Sequence, residues 1–122
     1  MFYRTDGQTN TNLGLAGVSD GLSNTFFAGE DLPSINQHCD WSFFNHATGT
    51  CAIPLNNALQ AGQPGFNNIG DWPNVYSFRS RHSQGANFLI GDGGVRFVRQ
   101  SIDLATYRAL ATRAGGEVAT LN

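Results

Sequence analysis

The sequence predicts an α+β domain: an antiparallel β-sheet with a β-hairpin at about 86–99, a C-terminal α-helix at about 102–114, and a long irregular excursion over 31–74. Three observations predict it. "ANFLI" and "VRFVR" flank "GDGG", so two runs rich in β-branched and aromatic residues surround an Asp-Gly turn. "SIDLATYRALATRAGG" sets Leu104, Tyr107, Leu110 and Ala111 at helical spacing. Pro33, Pro54, Pro64 and Pro73, all the prolines of the chain, fall in the excursion, where no sustained hydrophobic period is visible. The 122 residues suit a single domain, 1–122.

Taken in order, "TNTNLGLAGVSDGLSNT" is small, polar and turn-rich. Asp20-Gly21 reads as a turn, with Ser19 or Asp20 capping one helical turn across Gly21–Asn24. "TFFAGE" reads as a short strand, Thr25 to Glu30, whose apolar run fits cover on both faces. In the excursion, Trp41, Phe43, Phe44, Phe66 and Trp72 demand burial or a ligand. "NVYSFRS" reads as a strand over Asn74–Ser80, with Tyr76 and Phe78 on one face. In the hairpin, Phe88 and Ile90 share a face of one strand, and Val95 and Phe97 a face of the other. Ser101 or Asp103 caps the helix, Gly115-Gly116 ends it, and "EVATLN" adds a last edge strand.

Charged residues make up 13% of the chain, well under the usual ~25%, so neutral polar groups, among them 15 Gly and 12 Asn, must cover the surface. The net charge of −2, with no lysine, gives no footprint for nucleic acid. The charge is uneven. Residues 1–61 set Arg4 against five acids, and residues 62–122 set six Arg against four, so the second half offers a mildly cationic face to an anionic partner. Cys39 and Cys51 close a short loop, which predicts a disulfide pinning the excursion. Such a bridge is worth roughly 3 kcal/mol in the chain-entropy account. The rival is metal ligation by the two Cys with His38 or His46, which lacks a Cys-x-x-Cys pair. No secretory leader or membrane segment is present in these residues.

Nine residues separate His82 from Asp92, a spacing that invites an active site. The hairpin reading forbids it. A strand advances about 3.3 Å per residue, so the two lie on the order of 20 Å apart, at opposite ends of one strand. Asp92 is expected to serve its turn, with Gly93 beside it. A partner for His82 must come from elsewhere, and Glu30, at the end of the first strand, is the leading candidate. A Glu30–His82 or Glu30–Arg81 pair would clasp the first strand to the hairpin entrance. The same Glu30 and His82 are the candidate catalytic pair, and Glu30, Asp31 and Asp20 the candidate metal ligands, with Ca²⁺ the cation.

Three blocks, "VSDGLSNTFFAGE", "FRSRHSQGANFLIGDGGVRFV" and "YRALATRAGGE", together resemble a bacterial family abundant in planctomycetes, DUF1559, also described as the prepilin-type processing-associated H-X9-DG domain. The likeness covers roughly 14–30 and 75–118. It implies a type IV pilin-like or pseudopilin-like head domain, extracytoplasmic or secreted, with protein partners in a pilus- or secretion-like surface system. The leader and long apolar helix of such proteins are absent from this sequence, and a chain complete as given would be cytoplasmic. Pseudopilin-like heads often bind Ca²⁺ through loop carboxylates. Two other functions stay open: a metal-assisted hydrolase of an ester, lactone or glycoside, and a glycan-binding module built on Trp41, Phe43, Phe44 and Trp72. No G-x-S-x-G, H-E-x-x-H, phosphate loop or dinucleotide fingerprint is present.

Overall fold

The computed structural model describes residues 14–35, 49–71, 74–117 and 119–121. Three strands form one antiparallel sheet in the order β1-β2-β3, with β1 Phe26–Gly29, β2 Gly85–Ile90 and β3 Val95–Arg99. One helix, α1 Leu104–Ala109, follows the hairpin. The expected α+β class, antiparallel sheet, hairpin and C-terminal helix are all present.

The β2–β3 hairpin pairs Ala86 with Val98, Phe88 with Arg96 and Leu89 with Val95. Its loop has three residues. Ile90 and Gly94 close it through a 2.8 Å bond, Gly93 donates to the Ile90 carbonyl at 2.9 Å, and Gly93 takes the left-handed φ of 89°. Placing the positive φ on Gly93 makes the loop a type I turn followed by a glycine bulge rather than a two-residue Asp-Gly turn. Asp92 keeps negative φ and accepts from the Gly94 amide at 2.8 Å.

Side chains alternate across β2, so Ala86, Phe88 and Ile90 enter the core while Leu89 faces out. On β3 only Val98 is buried, and Val95 and Phe97 share the outer face. The core joins these to Phe26, Cys51, Leu55, Tyr107 and Leu110. Phe26 stacks on Phe88 at 4.4 Å between ring centroids, and Tyr107 and Phe78 meet Phe88 edge-on at 6.0 and 5.2 Å. Edge-on and offset geometries suit the ring quadrupoles, so the aromatic cluster fixes how β1, β2 and α1 pack.

Several expectations need correction. The helix turn before β1 is Leu22–Asn24; its cap residue is Gly21, and no side chain caps it, whereas Ser19 or Asp20 was expected to do so. Asn74–Ser80 is not a strand: Asn74–Tyr76 form a 3-10 turn, and Ser77 makes a single parallel bridge to Thr50. The cause is local, since Asp71 accepts from the Val75 amide at 3.1 Å and from the Asn74 side chain at 3.1 Å, which winds the chain. Helix α1 is shorter than 102–114. Asp103, rather than Ser101, caps it by accepting from the Thr106 amide at 2.9 Å. At the other end Ala111 and Thr112 donate to Arg108 and Ala109, tightening the last turn, and Asp20 then captures the amides of Gly115 and Gly116. Among the described residues beyond Gly116 there is no edge strand.

No disulfide pins the excursion. Cys51 is a free, buried thiol in the core, and Cys39 lies outside the described residues. The Cys51 thiol packs in the same core cluster as Tyr107 and is bonded to no second sulfur. Asn56 holds the excursion instead. It sits at φ 61°, 3% exposed; its amide donates to Phe78 and its side-chain oxygen accepts from the Ser80 amide at 2.8 Å. Its side-chain nitrogen reaches the Gly85 carbonyl at 3.5 Å and Gln100 Oε1 at 3.2 Å. One residue thereby ties the excursion to the chain before β2 and to both strands at the open end of the hairpin. Asparagine suits the place because it tolerates the left-handed region and offers both a donor and an acceptor.

Candidate functional site

The site forms where β1 ends and the chain turns into β2. Glu30 follows Gly29, the last residue of β1, and its backbone is held on both sides: its amide donates to the Asn87 carbonyl at 3.2 Å and its carbonyl accepts from Arg79 at 3.0 Å. That fixes its carboxylate over the β2 entrance. Oε2 accepts from the Asn87 amide at 2.7 Å; Oε1 accepts from the Asn87 side chain at 3.2 Å and lies 3.2 Å from His82 Nε2. The clasp expected between the first strand and the hairpin entrance is therefore present, through His82, while Arg81 lies exposed. His82 is held in turn by its amide, which donates to Ser80 Oγ at 3.1 Å, and its ring stands edge-on to Phe97 at 6.5 Å.

The electrostatics follow from this wiring. Partial burial pushes the Glu30 carboxyl up, but the Asn87 amide, the Asn87 and Ser80 side chains and the His82 charge outweigh it and hold the pKa below the ordinary value. Both partners stay open to water, His82 at 56% and Glu30 at 36% side-chain exposure.

The remaining candidates lie elsewhere. Asp92 stands at the far end of β2, in its own turn; the Gly94 amide first, then the Ser23 side chain, lower its pKa. The whole of Gly85–Ile90 separates it from His82. Asp31, beside Glu30, turns the other way: Oδ1 pairs with Arg79 Nε at 2.9 Å and accepts from the Leu32 amide at 2.6 Å. Asp20 serves the C-terminal segment through Gly115, Gly116 and Thr112. The structure thus joins Glu30 to His82 and does not draw Glu30, Asp31 and Asp20 into one cluster. Among the described residues no group of three or more His, Cys, Asp or Glu side chains is placed to hold a metal ion. Trp41, Phe43, Phe44 and Trp72, like His38 and His46, lie outside the described residues.

Sequence reasoning missed Arg79. Its side chain is fully buried, bound to Asp31 and to the Ser77 and Ile35 carbonyls at 3.3 Å each. Arg79 Nη2 and Asp31 Oδ2 are both buried without a hydrogen-bond partner, so the pair is closed through one of its two arms. Only the neighbouring acids Glu30 and Asp31, facing an arginine-rich "FRSRH", hinted at it.

A three-stranded sheet with one short helix, clasped at the hairpin entrance by a carboxylate and an imidazole, defines a small α+β domain whose polar residues mainly fasten loops to strands. The chain belongs to the family described as protein of unknown function (DUF1559), whose sequence model matches residues 1–105. No curated protein and no solved structure matches it. Among the described residues no helix is long and apolar enough to cross a membrane.

Proposed function

We propose that this domain is an extracytoplasmic, pilin- or pseudopilin-like head with a structural, partner-binding role. One observation carries the reading: both oxygens of Glu30, the best-placed carboxylate for chemistry, are already engaged. Its two oxygens accept from the Asn87 amide and side chain and face His82, and its pKa is held down. A general base works best with its pKa raised towards the operating pH, so the clasp is tuned away from proton transfer and towards holding β1 on β2. The outer sheet face supports the same reading, because Val95, Phe97 and Leu89 are 67%, 48% and 40% exposed there, with Phe97 beside His82.

The test uses the native gene product with whatever precedes residue 1. The expected result is protease accessibility on intact cells and co-assembly with pilin-like surface components. Turnover of chromogenic esters, lactones or glycosides, lost in both Glu30→Gln and His82→Ala, would overturn the reading in favour of a hydrolase. A Ca²⁺-dependent rise in Tm, reversed by EDTA and absent in Glu30→Gln, would add a cation to the clasp.

A further inference from the structure

We propose that the free edge of β3 accepts an extended, acidic strand from a partner protein, which lengthens the sheet and lies in the groove between β3 and α1. This rests on the partner-binding reading and specifies how the partner binds.

The sheet order leaves β3 at an edge. The register decides which of its backbone groups are free. Gln100 donates to Gln84 and Ile90 to Gly94, so the hydrogen-bonded pairs of the hairpin are 84/100, 86/98, 88/96 and 90/94. Val95, Phe97 and Arg99 alternate with these, and their amides and carbonyls point away from β2. The Arg99 carbonyl is taken by the Ile102 amide at 3.0 Å. The amides of Val95, Phe97 and Arg99 and the carbonyls of Val95 and Phe97 are therefore a ready template for one more strand. Among the described residues no strand adds to β3.

Sheet edges are ordinarily protected by lysine, proline, a bulge or a covering element. The β3 sequence "VRFVR" has none of the first two, pairs with β2 without a register shift, and exposes Val95 and Phe97. A groove of about 740 Å³ runs beside it, lined by Arg96, Arg99, Ile102, Thr106 and Leu121 among others. It has room for the inward side chains of an added strand.

Charge selects the occupant. Residues Val95–Arg99 carry two guanidinium groups and no acid, and the acid that lines the groove, Asp103, is engaged by the Thr106 amide and hydroxyl as the cap of α1. An antiparallel second copy of β3 centred on Phe97 would set Arg96 diagonal to its own copy and gather four cations with no acid in one ribbon, whereas an acidic strand offsets them. A strand alternating apolar and acidic residues instead sets its apolar groups beside Val95 and Phe97 on the outer face and its carboxylates beside Arg96 on the face of the groove, with Arg99 adding positive charge at the end of the strand.

The probe is a synthetic peptide of about seven residues alternating Val and Glu, long enough to span β3. On binding, hydrogen exchange should slow at the Val95, Phe97 and Arg99 amides, while Ala86 and Phe88 stay as protected as before. Phe97→Pro removes one outward donor without touching the β2 ladder and should weaken binding about tenfold. The variant R96E/R99E leaves the backbone intact and should exchange the preference to a Val-Lys peptide. Peptide binding that protects other amides, or ignores both variants, overturns the proposal; so does failure of the wild type to bind. A concentration-dependent dimer abolished by Phe97→Pro also overturns it, making the occupant a second copy. A Phe97→Pro protein that still assembles on the cell surface overturns the edge proposal alone and leaves the head reading standing.

Discussion

Asn56 and Glu30 are polar residues doing the work that a bridge or a metal was expected to do. Asn56 answers donors and acceptors from three separate segments while almost fully buried. Truncation would leave the Ser80 amide and the Gln100 side chain without that partner and remove the residue best suited to φ 61°. Asn56→Ala is expected to cost about 2–3 kcal/mol, seen in urea unfolding as a lower midpoint at unchanged slope. The carboxylates predict a pH dependence. Glu30, Asp20, Asp92 and Asp103 all have pKa values held below the ordinary ones, 4.5 for Glu30 and 3.8 for the aspartates. A depressed folded pKa means the unfolded chain binds protons first on acidification. The stabilisation is thus whole above those ordinary values and is lost as pH falls through the folded ones. Urea midpoints measured from neutral pH down to about 2 should be level until about pH 5 and then fall; in Glu30→Gln the fall should be shallower.

At the scale of elements, the hairpin was legible and its neighbours were not, for a physical reason. Two β-branched and aromatic runs about a Gly-rich turn are a local signal, so β2, β3 and the loop were placed within a residue or two. Strand β1 was equally plain from "TFFAGE". The 3-10 turn at Asn74–Tyr76 escapes the sequence pattern because its winding comes from the bond between the Val75 amide and the Asp71 carbonyl, seconded by the Asn74 and Asp71 side chains, which no period reveals. Helix α1 ends early as Ala111 and Thr112 turn to i→i+3 bonds, and Asp20, far away in sequence, holds the amides of Gly115 and Gly116 beyond it. Gly85 holds a tight place within the hairpin. A Cβ there would meet the Val98 carbonyl and come within 2.6 Å of the Phe97 ring. Gly85→Ala is therefore expected to cost about 1–3 kcal/mol and to shift the Phe97 ring signals in an NMR spectrum. Gly94→Ala makes a milder control, since its added Cβ meets only the Asp92 side chain, 3.0 Å away.

At the scale of the molecule, what the sequence hid is where polar groups converge. It indicated that Glu30 would meet the hairpin entrance, and the Glu30–His82 contact follows that expectation. It also suggested a disulfide, because two cysteines close in sequence are visible while the burial of one of them is not. Burial raises the Cys51 thiol to about 12, an effect that the Tyr107 hydroxyl only partly offsets. Only the thiolate reacts, so Cys51 should resist alkylation in the folded protein near pH 8 and label fully in denaturant without a reductant. Mass spectrometry of the labelled chain checks both halves, and a Cys51 that labels only after reduction would restore the bridge.

The sheet joins partners of very different separation along the chain. The rungs between β2 and β3 cross a three-residue loop, whereas Phe26 must find Ile90 with the whole excursion looped out between them. Closing so long a loop is entropically expensive, so the ribbon of residues 85–99 should zip first and the N-terminal strand dock last. Gly85→Ala should then chiefly slow refolding, and Phe26→Ala chiefly hasten unfolding, in stopped-flow chevrons. Until that docking, the Phe88 ring lies bare, and the interval when this chain is most prone to clump is the wait for its first strand to arrive.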